Sequence, residues 1–182
     1  MSAVQTILSY ATLGLNISWV LGLSLFLIYK SPWNPRKIDQ KTVRIKNVVS
    51  SFYREISFVL VAAATSGSLY FSQVLGWEPC LMCWYQRILM YPLVVLFGVA
   101  AFLEKDDVSD YALPLVTIGG GISFYHYLMQ RVEQFQSAGC SITQVSCETQ
   151  YTFYFDYITI PMMAFTVFLT VLMINWKLQD GQ

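Results

Sequence analysis

Two cysteines separated by two residues, Cys80 and Cys83, offer the clearest chemistry in this sequence. A pair at this spacing can close a small, reducible disulfide ring, and a thiolate at a helix N-terminus is stabilised by the helix dipole and free backbone N–H groups. Because Cys83 begins a long apolar stretch, we expect its thiolate to form readily. The same spacing also occurs in zinc sites and structural disulfides, so the pair alone assigns no function.

A second pair, Cys140 and Cys147, would close a ring of eight residues if its members were joined. A ring of that size contributes only about 2.5 kcal/mol in the chain-entropy model. A weakly stabilising, exposed disulfide is better suited to exchange than to structural support. We therefore favour thiol–disulfide exchange over two alternatives. One is a structural membrane protein whose outer loops are held by disulfides, and the other is a membrane protein that binds metal ions through thiolates. Four cysteines allow three connectivities, and the spacing does not choose among them.

Two ionisable side chains are predicted near the cysteines. Helical spacing places Arg87 one turn below Cys83 on the same face, where a guanidinium would favour the thiolate. The alternative is an arginine that extends to the lipid headgroups. His126 is the only histidine, and we expect it at about the membrane depth of Arg87. It is either a hydrogen-bonded packing residue or a partner of a bound ligand.

Membrane-spanning helices must position these residues. Hydrophobic residues make up 55% of the 182 residues and charged residues 12%, against about 25% charged in an average soluble domain. A helical span needs about 20 apolar residues. Five spans are predicted, at about Val4 to Tyr29, Phe58 to Leu75, Trp84 to Phe102, Ala112 to Met129 and Ile158 to Trp176. The formal net charge is zero, so no basic field indicates nucleic acid.

The distribution of basic residues predicts the orientation of the chain. The segment from Lys30 to Glu55 carries seven Lys and Arg residues, and placing it in the cytoplasm puts nine of the eleven basic residues inside. The N-terminus and all four cysteines then lie outside, and the C-terminus lies inside. Disulfides persist outside the cytoplasm. Thiols there meet oxidants before they meet zinc, so we expect no metal site.

These residues together resemble the DsbB family of disulfide bond formation proteins, in particular its shorter BdbC-type members. The matching residues are Gly67–Phe71, Pro79-Cys80, Cys83-Trp84-Tyr85-Gln86-Arg87, Met90-Tyr91-Pro92, Tyr125-His126, the pair Cys140 and Cys147, and Ile160-Pro161. The resemblance covers about Phe52 to Trp176. It is specific because both cysteine pairs, the arginine and the order of the spans agree together.

The resemblance implies an all-α integral membrane protein, with a DsbB-like four-helix bundle over residues 52–182. It implies a multi-pass enzyme of the bacterial inner, or cytoplasmic, membrane that acts as a quinone-dependent protein dithiol oxidoreductase. Such an enzyme reoxidises a secreted or periplasmic DsbA-like partner of the thioredoxin fold. It passes the electrons to a membrane quinone, ubiquinone or menaquinone, and so supports disulfide formation in exported proteins.

The resemblance also implies an order for the cysteines. The partner's thiolate would attack Cys140, and Cys147 would leave. Cys147 would then attack Cys80, and the released Cys83 thiolate would donate electrons to the quinone beside Arg87.

Two further expectations concern the cofactor and the N-terminus. Gln86 and His126 join Arg87 as cofactor-binding candidates, although some family members have a glutamate at the position of Gln86. Residues 1–51 have no counterpart in the four-helix pattern. We expect them to form an additional transmembrane helix packed on the bundle, followed by a basic cytoplasmic loop at anionic headgroups.

Overall fold

A computed structural model describes residues 3–30, 51–105, 107–132, 146–147 and 151–179. These ranges contain the helices α1 (Ala3–Lys30), α2 (Tyr53–Leu69), α3 (Leu81–Leu103), α4 (Val108–Arg131) and α5 (Ile160–Gln179). A π-helical turn, Tyr70–Val74, extends α2 toward the first cysteine pair. The described segments are therefore almost entirely helical, as the sequence predicts.

Three helical stretches are long and apolar enough to cross a membrane, namely Ala3–Gly22, Tyr53–Val74 and Leu81–Leu103. Ile160–Trp176 is a shorter apolar helix. The predicted fourth span is helical in α4, but α4 is not among the three apolar stretches. Its polar residues Ser123 and His126 are buried inside the protein, where they contact other helices instead of lipid. The predicted all-α membrane fold with an additional N-terminal helix is confirmed.

Helices α2 to α5 form a bundle in which each helix packs on two neighbours. Buried residues on α3 recur every three or four positions, at Met90, Leu93 and Phe97, so one face of this helix points into the core. Its opposite face carries exposed apolar residues such as Ile88 and Val95. In a membrane, that exposed face lies against lipid tails.

Helix α1 packs on the bundle through polar contacts with α5. The Thr166 hydroxyl lies 3.0 Å from Asn16 Oδ1, and the Trp19 indole donates to the Thr170 hydroxyl at 3.1 Å. Hydrogen bonds between helices are a usual source of association inside membranes. The expected packing of the additional helix is confirmed. The basic loop expected after it falls within residues 31–50, outside the described residues.

Candidate redox site

An aromatic stack holds the segment that leads into Cys80. The Trp77 ring lies between Phe71, at a centroid distance of 5.4 Å, and Tyr151, at 5.0 Å. The Tyr151 hydroxyl also donates to the Glu78 carbonyl at 3.2 Å. Phe71 belongs to the turn after α2, and Tyr151 precedes α5. The stack therefore connects the segment before Cys80 to the end of α2 and to the segment before α5.

Cys80, and not Cys83, caps the N-terminus of α3. Its sulfur accepts a hydrogen bond from the Cys83 backbone N–H at 3.4 Å. The helix begins at Leu81, about one turn before the predicted start at Trp84, and its first turn packs Leu81 and Met82 against the buried cysteines. The stabilisation by the helix terminus that we expected for Cys83 therefore acts on Cys80.

Both members of this pair are free thiols, and their sulfur atoms lie 3.0 Å apart. The pKa of Cys80 is lowered from its ordinary value of 9.0 to about 4. The hydrogen bond with the Cys83 thiol is the largest cause. Burial opposes it, and the hydrogen bond with His126 lowers the pKa of Cys80 further. Cys80 is thus a thiolate at neutral pH, which is the nucleophilic form of the residue.

His126 connects the two cysteine pairs. Its imidazole is buried, with Nε2 3.6 Å from Cys80 Sγ and 3.1 Å from the backbone oxygen of Cys147. On the other side of the ring, Gln86 Nε2 lies 2.9 Å from Nδ1. With Gln86 donating to Nδ1, Nε2 carries the hydrogen and donates to the Cys147 carbonyl. Two of the predicted residues, Gln86 and His126, are therefore in direct contact.

One cysteine of the second pair lies against the first pair. Cys147 is disulfide-bonded and only 1% exposed, and it belongs to one buried cluster with Cys80 and Met129. Cys83 packs on the edge of that cluster. The other predicted residue, Cys140, lies outside the described residues.

Arg87 points toward α2, away from the contact between Gln86 and His126. Its Nε and Nη2 donate to the hydroxyl and the carbonyl of Ser68, both at 3.0 Å. The guanidinium also lies over the Trp84 ring, 5.4 Å from the centroid. The three predicted cofactor-binding residues consequently occupy two sides of α3. Ser68 was not predicted as a site residue, although it lies in one of the stretches that carry the resemblance.

A pocket opens beside the first cysteine pair, between the ends of α3, α4 and α5. Its lining includes Cys80, Cys83, His126, Tyr151, Thr152 and Thr159. The Thr152 and Thr159 hydroxyls are buried and have no hydrogen-bond partner within the described part of the chain. Burial raises the pKa of Tyr151, so this residue stays a neutral hydroxyl. The pocket therefore contains reactive sulfur atoms and, beside them, hydroxyl groups to which a small ligand could hydrogen-bond.

Comparisons with known proteins agree with this arrangement. Residues 52–178 match the family described as "Disulfide bond formation protein DsbB". The chain is 44% identical over 108 residues to "Probable disulfide formation protein C 1" of Bacillus anthracis, which covers 59% of this chain and 78% of that protein. It is 42% identical over 128 residues to "Disulfide bond formation protein C" of Bacillus subtilis, covering 70% and 91%. No solved structure matches the chain significantly.

The family match contains α2, α3, α4 and nearly all of α5, and it leaves α1 outside. It also includes every residue of the redox site described above. Family, fold and chemistry agree on an oxidoreductase that forms disulfide bonds and crosses the membrane several times. The chain belongs to the DsbB family of disulfide bond formation proteins.

Proposed function

We propose that this protein reoxidises a secreted or periplasmic DsbA-like partner of the thioredoxin fold and passes the electrons through its two cysteine pairs to a membrane quinone. One observation carries the proposal. Cys147 of the second pair and Cys80 of the first pair share one buried cluster, and His126 contacts both residues. Sulfur atoms must come into contact for disulfide exchange, so this packing favours transfer between the pairs.

The proposed exchange begins at the second pair. We assign Cys140 and Cys147 to one disulfide, as the resemblance to the DsbB family implies. A thiolate of the DsbA-like protein attacks Cys140, and Cys147 leaves as a thiolate. Cys147 then attacks Cys80 in an oxidised first pair, and Cys83 leaves as a thiolate.

Two further exchanges restore the second pair. The DsbA-like protein's other thiol displaces Cys140, which completes that protein's disulfide, and Cys140 then attacks Cys147 and releases Cys80. Two electrons have moved from the DsbA-like protein to the Cys80 and Cys83 dithiol.

The lipid-facing side of α3 suits a quinone, either ubiquinone or menaquinone. Trp84, which follows Cys83 in the sequence, and Ile88, about one turn further along α3, are exposed apolar residues. Ser68 holds Nε and Nη2 of Arg87, and in the described contacts Nη1 is left to donate to a carbonyl oxygen. A bound quinone would accept the two electrons that leave the pair as its disulfide forms, together with the Cys83 thiol proton and a second proton from solvent. We propose that Arg87 binds the quinone through this donor.

Gln86 and His126 meet on the side of α3 away from Arg87. We therefore propose that they act on Cys80 instead of the quinone. The His126 Nε2–H stabilises negative charge on Cys80 and orients the Cys147 carbonyl beside it. Gln86 fixes the hydrogen on Nε2 by donating to Nδ1. Both residues then support transfer between the pairs without touching the quinone.

We place the protein in the bacterial cytoplasmic membrane, with its N-terminus and cysteines outside and its C-terminus in the cytoplasm. The charge distribution supports this orientation, because nine of the eleven Lys and Arg residues then lie inside. The described cysteines support it as well, since Cys80, Cys83 and Cys147 lie together at one end of the bundle. A secreted partner can reach them only from outside.

Two single variants test the proposed order. Stopped-flow mixing with a reduced thioredoxin-fold partner separates exchange with that partner from quinone reduction. Cys140→Ser should lose the first exchange yet still transfer electrons from a chemically reduced first pair to quinone. Cys83→Ser should keep the first exchange and lose quinone reduction. Quinone reduction by Cys83→Ser at the wild-type rate would show that the assigned order is wrong.

A further inference from the structure

We propose that Cys80, Cys83 and His126 form a zinc site in the reduced protein. Their three ligand atoms lie within 4.8 Å of one another. Thiolate and imidazole are ligands that zinc prefers, and two cysteines with one histidine are a common zinc donor set. From the sequence we expected no metal, because thiols outside the cytoplasm meet oxidants before they meet zinc. The buried imidazole beside the cysteine pair is the observation that changes this expectation. The zinc binding needs only these residues, and its effect on turnover rests on the proposed function.

Movement of the Cys83 side chain would bring the three ligand atoms to the distances found around a tetrahedral zinc ion. Zinc bonds of about 2.3 Å to sulfur and about 2.0–2.1 Å to nitrogen place sulfur and nitrogen roughly 3.6 Å apart and two sulfurs roughly 3.8 Å apart. Cys80 Sγ and His126 Nε2 are already 3.6 Å apart. The two cysteine sulfurs, at 3.0 Å, must separate by roughly 0.8 Å. Cys83 is only partly buried, so its side chain has room to move.

Gln86 is able to support the imidazole with and without the metal. In the described contact, Gln86 donates to Nδ1, and the ring hydrogen is on Nε2. Zinc at Nε2 requires the hydrogen on Nδ1 instead, and a half-turn of the Gln86 amide presents Oε1 as its acceptor. A carboxylate at this position only accepts hydrogen bonds when ionised, so it would favour the tautomer that binds zinc.

The pocket supplies the fourth coordination position. Thr152 and Thr159 line it together with Cys80, and their side chains are 4% and 1% exposed. In the described part of the chain, neither hydroxyl has a hydrogen-bond partner. Leaving buried hydroxyls unpaired costs free energy. A water on the zinc would satisfy them, and three protein ligands with one water is the arrangement of an open zinc site.

Occupancy of this site depends on the redox state of the pair. In the reduced protein, Zn²⁺ replaces whatever thiol protons remain and forms two bonds to thiolate, with no electron transferred. In the oxidised pair, the sulfurs are bonded to each other and the site is lost. Bound zinc would therefore stop the pair from forming its disulfide until a chelator removed the metal.

Zinc titration of the full-length protein in detergent tests the site. The Cys140→Ser, Cys147→Ser background removes the other thiols, a phosphine reduces the pair without oxygen, and a chromophoric chelator reports free Zn²⁺. We expect one Zn²⁺ per reduced chain and none after oxidation. His126→Gln should weaken binding by at least about tenfold, whereas Gln86→Glu should tighten it. Glu78→Gln is the matched control, since it removes the exposed carboxylate closest to Cys80 in the sequence and should change nothing.

Equal affinity in the reduced and oxidised protein would overturn the zinc site, as would wild-type affinity in His126→Gln. If His126→Gln does not fold, Gln86→Glu and Cys83→Ser decide, because the site requires tighter binding in the first and weaker binding in the second. Quinone reduction, measured without zinc, tests the proposed function independently of the zinc site. Active protein that binds no zinc refutes only the site, and protein that binds zinc but reduces no quinone refutes only the proposed function.

Discussion

Cys80 differs from an ordinary cysteine because three donors surround its sulfur. The Cys83 thiol, the Cys83 backbone N–H and the His126 ring all reach it. Each donor stabilises the thiolate more than the thiol. The sequence predicted a reactive thiolate at this helix terminus but placed it on Cys83. The residue that caps a helix is the one whose side chain reaches the first free amides, and hydropathy does not determine which residue that is.

We expect Cys80 in the reduced protein to be alkylated as a thiolate down to about pH 4. Its pKa is lowered, so the reactive form is complete well above that pH and is lost as the pH falls through it. Cys83→Ala removes the donor with the largest effect and should move the midpoint upward, toward 9.0. Iodoacetamide labelling followed by mass spectrometry gives the midpoint. A wild-type midpoint near 9 would contradict the described hydrogen bonding.

Arg87→Met keeps the apolar stem and removes the guanidinium, so the fold should survive. We expect quinone reduction to fall by about 100- to 1,000-fold, as when another electrostatic donor is removed from an active site. Arg87→Lys should recover only part of the rate, because lysine lacks the planar fork held by Ser68. The first exchange at Cys140 should be nearly unchanged. Quinone reduction within about twofold of wild type in Arg87→Met would make this residue a headgroup anchor.

At the scale of the helices, the contact between α4 and α5 depends on Gly119. A Cβ added at this residue would lie 2.5 Å from two ring carbons of Phe168, which is itself fully buried. The helices can approach closely because this position has no side chain.

Gly119→Ala should therefore destabilise the protein by about 1–3 kcal/mol, the usual cost of overpacking a core. Gly121→Ala is the matched control on the same helix, because a Cβ there meets nothing within 4 Å. Thermal unfolding in detergent measures both variants. The contact between α4 and α5 is described wrongly if Gly119→Ala is as stable as Gly121→Ala.

Much of the helical architecture was predictable, because a long run of apolar residues indicates a helix that is buried in lipid or protein. The rotation of each helix about its own axis was not predictable in the same way. Arg87 and Gln86 are neighbours in sequence, yet one contacts Ser68 on α2 and the other contacts His126 on α4. A helical wheel places them about 100° apart but does not tell which neighbouring helix each will meet.

At the scale of the whole molecule, the two cysteine pairs come from connections that are distant in sequence. Cys80 caps the start of α3 and Cys83 lies in its first turn, whereas Cys147 lies between α4 and α5. Motif spacing identified both pairs separately, whereas their contact depends on how four helices pack. The packing of Cys147 against Cys80 in one cluster is therefore a property of the fold, and the spacing of the cysteines does not predict it.

The orientation of the whole chain makes a prediction of its own. A membrane-impermeant maleimide added to intact, reduced cells should label the cysteines, because all four are expected outside. A cysteine introduced between residues 31 and 50, in a variant without the native four, should be labelled only after lysis. The reverse pattern would place the basic segment outside and the redox site in the cytoplasm.

Direct electron transfer from the first cysteine pair to quinone is the central claim, and one single-turnover measurement tests it. The Cys140→Ser, Cys147→Ser protein, reduced at Cys80 and Cys83, is mixed without oxygen with one equivalent of ubiquinone or menaquinone. Quinone absorbance gives the electrons accepted, and mass spectrometry gives the disulfide formed. We expect one quinone reduced for each Cys80–Cys83 disulfide, and none reduced after Cys83→Ser. A dithiol that persists beside unreduced quinone would contradict this claim.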